Sequence, residues 1–142
     1  MSLRLERKTI EKCRLIEFPV HADGRGNLCV LQYDQHIPFK PERTFWVWNV
    51  PQWVSRGGHA HAHSSQIHIC VGGTAKVKTH DGEKEETFVL DSPNKGLFTE
   101  PMVWGEFELS SPNAFLIVIS SHTYDKEDYI KDYNEFLRLS RK

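Results

Sequence analysis

Residues 56–73 read RGGHAHAHSSQIHICVGG. Histidine alternates with alanine from His59 to His63, and polar residues then alternate with Ile67, Ile69 and Val71. A period of two marks extended strands, because successive side chains point to opposite faces. Paired glycines bracket the stretch and Ser64-Ser65 divides it, so two strands separated by a turn or bulge are expected. On the first strand His59, His61 and His63 share one face. The turn resets the parity, so that Gln66, His68 and Cys70 face the same interior while Ile67, Ile69 and Val71 face the opposite side. Imidazoles, an amide and a thiol then surround one cavity.

The same alternation continues outward. Leu28–Tyr33, Thr44–Val50, Thr74–His80, Glu86–Leu90 and Ala114–Ser120 read as further strands, rich in Val, Ile, Thr and aromatics. Between them lie ADGRGN, VPQ, HDGE, DSPNKG and SSPN, which carry turn chemistry. Asp81-Gly82 between two alternating runs predicts a hairpin. Many short strands at regular spacing predict an all-β sandwich or barrel. Only the tail is helical in pattern. Tyr129, Ile130, Tyr133, Phe136 and Leu137 fall at offsets of three and four, one apolar stripe. A helix is expected over about 125–140, capped by Thr123 or Asp125, with Arg138, Arg141 and Lys142 complementing the dipole at its end. No repeat or linker interrupts the chain, so a single domain over 1–142 is expected, with the β-structure at about 14–122.

The chain has 142 residues, 18 Lys plus Arg against 19 Asp plus Glu, and a formal net charge of −1. That balance argues against a nucleic-acid partner, since no positive excess exists to displace phosphate counterions. Cys13, Cys29 and Cys70 form neither a disulfide framework nor a metal knuckle, so a reducing cytoplasm is expected. No run is long and apolar enough for a transmembrane helix, and the first residues, MSLRLERKTIEK, have no apolar signal core. No membrane partner is expected.

Four of the eight histidines lie within His59–His68. Three readings compete. Imidazole is the commonest ligand for zinc, iron and copper. It also exchanges protons near neutral pH without any metal. Solvated histidines on an edge strand would do neither.

RGGHAH followed by Gln66 and Gly72 resembles the first motif of the cupin superfamily, a small jelly-roll β-barrel. Metal-binding cupins carry HxH, then Glu, with a further His in a second motif. Here Gln66 occupies the Glu slot, and the second motif, PMVWGEFEL, has no histidine. A closer resemblance, from about Asp23 to Leu137, is to the nucleotide-sugar 3,4-ketoisomerases of the WxcM-like group. It is carried by DGRGNL (23–28), IPF (37–39) followed by Arg43, RGGHAH (56–61), Gln66, LDSPNKGLF (90–98), PMVW (101–104) and YDKEDYIKDYNEF (124–136).

This resemblance implies a cupin-type jelly-roll β-barrel with a C-terminal α-helix. It implies an isomerase that converts a dTDP-linked 4-keto-6-deoxy-glucose to its 3-keto isomer through an enediol, for surface glycan biosynthesis. Neither metal nor redox cofactor is implied. The partner is then a small-molecule nucleotide sugar. His59 matches the general base and His61 a proton relay. Arg25, Arg43 and Arg56 are candidates for the pyrophosphate or sugar oxygens, because guanidinium pairs bidentately with phosphate. Gln66, Trp46 and Trp104 complete the expected substrate contacts. Asn27 and Gly105 are associated with the stereochemistry at C4, and His63 and His68 are additional imidazoles. The strand over Thr44–Val50 has Phe45 and Trp46 where relatives commonly carry a tyrosine. A homodimer is expected, pairing through the Ile67, Ile69 and Val71 face. A metal-dependent cupin enzyme and a non-catalytic sugar-binding cupin remain the alternatives.

Overall fold

The computed structural model describes residues 11–141. The expected contribution of Lys142 to the helix end lies outside them. The predicted alternation is clearest in two of the strands, whereas of the expected strand over Leu28–Tyr33 only Leu28 and Cys29 pair in a ladder. In β7 (Ala75–His80), Ala75, Val77 and Thr79 are buried while Lys76 and Lys78 are exposed. In β11 (Phe115–Ser120), Leu116, Val118 and Ser120 are buried. Asp81-Gly82 turns β7 into β8 (Glu85–Leu90), with His80 opposite Glu85. The Asp81 carboxylate accepts the Glu83 and Lys84 amides and closes that turn.

Eleven of the strands are long enough to set the architecture. They are β1 (Cys13–Glu17), β2 (Val20–Asp23), β3 (Gly26–Cys29), β4 (Arg43–Trp48), β5 (Arg56–His61), β6 (Gln66–Gly72), β7, β8, β9 (Lys95–Thr99), β10 (Trp104–Leu109) and β11. A two-residue β12 (Tyr129–Ile130) and a helix α1 (Tyr133–Ser140) follow. One five-stranded sheet has the order β1-β9-β6-β11-β4 and the other β12-β5-β10-β7-β8. Every ladder between named strands is antiparallel. The strands of one sheet return through the other, which is the jelly-roll pattern. Hydrogen bonding does not run from sheet to sheet, so the barrel is a sandwich whose sides stay unzipped. The β2–β3 hairpin pairs only with itself.

The main core fills the space between the sheets. It includes Cys70, Leu90, Leu97 and Leu116, all without solvent exposure. A second cluster covers the outer face of the first sheet, where Ile67, Ile69 and Phe98 meet Phe18 and Ile37. The chain therefore closes with its own 18–39 segment the face that was expected to await a partner. Of that face only Val71 stays open, 40% exposed.

The tail departs from the sequence reading. The helix begins at Tyr133, not near Asp125, and Asp132 caps it by accepting the Glu135 amide at 3.0 Å. Lys126–Asp128 form one 3-10 turn capped by Asp125. Tyr129 and Ile130 then extend and pair with His61 and Ala60 of β5. Strand pairing and burial at the sheet edge outweigh the local helical pattern. The apolar stripe survives in α1, where Phe136 is fully buried against Ala60 and Trp104.

Phe136 thus fastens the last part of the chain to the second sheet. Phe136→Ala is expected to destabilise the protein by about 3–5 kcal/mol, the range for emptying a buried aromatic site. Urea unfolding checks this; a loss below about 1 kcal/mol would mean that the helix is not anchored there.

Candidate active site

Three strands bring the chemistry together. β5 delivers His59 and His61, β6 delivers Gln66 and His68, and β12 delivers Tyr129, all lining one cavity of about 220 Å³ between the sheets. Gly105 and Glu106 of β10 form another wall, and the exposed Arg56 sits at the edge. The predicted reset at Ser64-Ser65 places His59, His61, Gln66 and His68 on one interior, as the parity argument requires. Cys70 follows the same parity but lies deeper, in the core. Gly57 allows β5 to run close to β10: it adopts φ +89°, and a Cβ there would stand 2.8 Å from the Gly105 carbonyl oxygen. Gly105 itself has no positive φ and faces open space, so a side chain would fit; its absence widens the cavity.

The rings of His59 and His61 lie 5.0 Å apart, edge to face. The Tyr129 ring touches both, at 4.8 and 4.6 Å. Burial pushes the His59 imidazole down to about 4, with the neighbouring His61 adding to the effect. His61 is also lowered by burial, which outweighs the opposing pull of Asp128. His68 forms the floor; burial takes it to about 4, and its Nδ1 donates to the Leu97 carbonyl. At neutral pH the cavity therefore presents uncharged imidazoles, each able to take up a proton and give it back.

Asp128 is buried beside them. Its carboxylate accepts the Ser64 hydroxyl at 2.5 Å and the His63 amide at 2.6 Å, and lies 3.1 Å from His61 Nδ1. Burial works to raise its carboxyl, but these hydrogen bonds overcome that and hold it below the ordinary value. Arg43 Nη2 donates to the Tyr129 hydroxyl at 3.3 Å. Arg43 Nε and Gln66 Nε2 are buried donors without a protein partner. A buried donor left unpaired is costly, and a bound oxygen acceptor would relieve it.

Other predicted residues stand elsewhere. Arg25 caps the β2–β3 hairpin, exposed and paired with Asp23 at 2.7 Å. Asn27 is in the same hairpin, and both border a shallow groove separate from the cavity. Trp46 points to the outer face and is 54% exposed, so within this chain it does not wall the cavity. The alternation of β4 instead turns Phe45 and Val47 inward. Trp104 is buried beneath α1 against Tyr133 and Phe136; its indole N–H reaches Glu106 at 3.0 Å, but the ring is not exposed to substrate. His63 is exposed and contributes its backbone amide to Asp128. Among the described residues, no three His, Cys, Asp or Glu side chains converge in a metal-binding arrangement.

Sequence reasoning missed Asp128, Tyr129 and Glu106. The first two were absorbed into an expected helix. A signal was present, because 125–128 contain no apolar residue and the stripe starts only at Tyr129.

Comparison with known proteins identifies the family and the fold. The family model described as WxcM-like, C-terminal (FdtA) matches residues 11–141. The chain is 33% identical to the TDP-4-oxo-6-deoxy-alpha-D-glucose-3,4-oxoisomerase of Aneurinibacillus thermoaerophilus, over 91% of this chain and 93% of that one. A crystal structure of a 3,4-ketoisomerase from Helicobacter canadensis superposes with a TM-score of 0.88 at 32% identity, covering 92% of this chain and 98% of the other. The sugar 3,4-ketoisomerase QdtA of Thermoanaerobacterium thermosaccharolyticum, in complex with TDP, gives 0.90 at 29% identity, covering 94% and 97%. The family model over residues 11–141 and the 33% identical relative show that the chain belongs to the WxcM-like, C-terminal family.

Proposed function

We propose that the protein is a sugar-nucleotide 3,4-ketoisomerase acting on a TDP-linked 4-keto-6-deoxy-glucose, supplying a 3-keto sugar for glycan biosynthesis. The observation that carries the reading is the pair of uncharged imidazoles, half-buried His59 and buried His61, beside Tyr129 in a cavity lined by Gln66, whose Nε2 is a buried donor without a protein partner. The named substrate of the Aneurinibacillus relative supplies the sugar.

The chemistry needs two proton movements. The C4 carbonyl acidifies the C3 hydrogen. His59 removes that proton, the C3–H electron pair becomes the C3–C4 double bond, and the carbonyl pair moves onto O4. His61 then accepts the O3 proton and delivers it to O4. Electrons on O3 form the new C3 carbonyl, and the double-bond pair takes the proton from His59 at C4. Atoms balance, and no net proton or electron is required. In this reading Gln66 donates to sugar oxygens and Arg56, at the cavity edge, to anionic oxygens, while Arg43 holds the Tyr129 hydroxyl. These roles need neither metal nor redox cofactor.

A homodimer belongs to the same proposal. It is supported by the outward Trp46 and Trp48, 54% and 52% exposed on the free edge strand β4, and by the unpaired β2–β3 hairpin. A cytoplasmic location is supported by the three free cysteines.

Proton NMR in deuterated water with the 4-keto nucleotide sugar is expected to show the 3-keto sugar appearing, with deuterium entering at C4 of that product and at C3 of the recovered 4-keto substrate. An unchanged substrate spectrum rejects the reading. His59→Asn is expected to stay folded and lose roughly 10²–10⁴-fold in turnover; unchanged turnover would rule His59 out as the base. Because burial lowers His59 to about 4, the base stays unprotonated as pH falls from neutral. The acid limb of kcat/KM should accordingly lie well below the ordinary histidine value of ~6.5, and a midpoint at that value would contradict the buried-base assignment. Light scattering should return the mass of two chains.

A further inference from the structure

We propose that Asp128 is a positioning residue: its carboxylate holds His61 in the tautomer that carries hydrogen on Nδ1, so that a bare Nε2 is offered to the sugar oxygens. This rests on the ketoisomerase reading. Asp128 is 6% exposed and is pinned from three sides. Ser64 Oγ donates to Oδ2, the His63 amide donates to Oδ1, and its own carbonyl oxygen accepts the Ala62 amide at 2.8 Å. The remaining contact, 3.1 Å from Oδ2 to His61 Nδ1, reaches a ring that lines the cavity. An ionised carboxylate can only accept, so the proton must sit on Nδ1. The backbone of His61 is equally fixed, by pairing with Tyr129 and by the Met102 amide, which donates to its carbonyl at 2.7 Å.

His59 differs. Its imidazole has the backbone of Gly57 as hydrogen-bond partner, not a carboxylate. The two histidines are thereby distinguished. A group that moves a proton from O3 to O4 must arrive empty at the atom facing the sugar, become an imidazolium briefly, and empty again. The Asp128 carboxylate fits each stage: it fixes the empty Nε2, and it stabilises the passing positive charge.

The decisive variant is Asp128→Asn. The amide oxygen can keep the His63 contact, while its N–H group faces His61 Nδ1 and drives the proton to Nε2. Turnover is expected to fall by roughly 10²-fold or more with KM little changed, as when a catalytic histidine is left in the wrong tautomer. Deuterium wash-in at C3 should fall far less, because His59 is untouched. Nitrogen-15 shifts of His61 should show hydrogen on Nδ1 in the native protein and on Nε2 in the variant. Ser64→Ala removes a hydrogen bond from the same carboxylate but leaves the histidine contact, and should keep turnover within about threefold. Hydrogen on Nε2 of native His61 overturns the proposal even if the variant fails to fold. Parallel losses in both variants that track melting temperature overturn it too. A native protein showing neither wash-in nor product instead rejects the ketoisomerase reading, and leaves the tautomer measurement standing by itself.

Discussion

The short ladder between Tyr129–Ile130 and His61–Ala60 is the contact on which the site depends. It lays a strand along the free edge of β5 and brings two side chains to bear on its histidines. Asp128 meets the His61 Nδ1, and the Tyr129 ring packs at an angle against the rings of both histidines. Without this strand the second sheet would still have its core of Val77, Phe88 and Leu90. The imidazoles, however, would lose the cover of the Tyr129 ring, and with it part of the burial that lowers His59 to about 4. The tail is therefore part of the chemistry, and α1 serves it by anchoring Phe136 against Trp104.

Local periodicity and long-range pairing explain what could be read from the chain. The alternation through His59, His61, Gln66 and His68 depends only on the backbone pleat, so their common interior followed from spacing and one turn. The Asp81-Gly82 hairpin was equally local. The tail was not. A stripe at helical spacing fits α1 as well as it fits a longer helix, and only the unpaired edge of β5 selects the extended form of Tyr129 and Ile130. Trp46 was misplaced for a related reason: β4 alternates cleanly, but nothing within it says which face is the inner one. The sheet places Phe45 and Val47 inside. Arg43 is legible only in part. Its chemistry suits an anion, yet its Nη2 is engaged with Tyr129 while its Nε stays unpaired.

Burial and charge are set against each other throughout the cavity. His59 and His68 stay uncharged because removing an imidazolium from water is unfavourable, and the backbone of Gly57 and of Leu97 offsets this only in part. Asp128 stays charged in the same low-dielectric setting because three hydrogen bonds reach its two oxygens. The single carboxylate thus makes two chemically identical side chains unequal. His61 gains a partner for a transient positive charge, and His59 does not. A reaction that moves one proton between carbons and another between oxygens calls for that inequality. The carbon base works best uncharged and free to give its proton back at C4, whereas the oxygen relay must be oriented and kept empty on one nitrogen. Two residues of separation on one strand, with a carboxylate from a distant segment under only one of them, are sufficient to provide both.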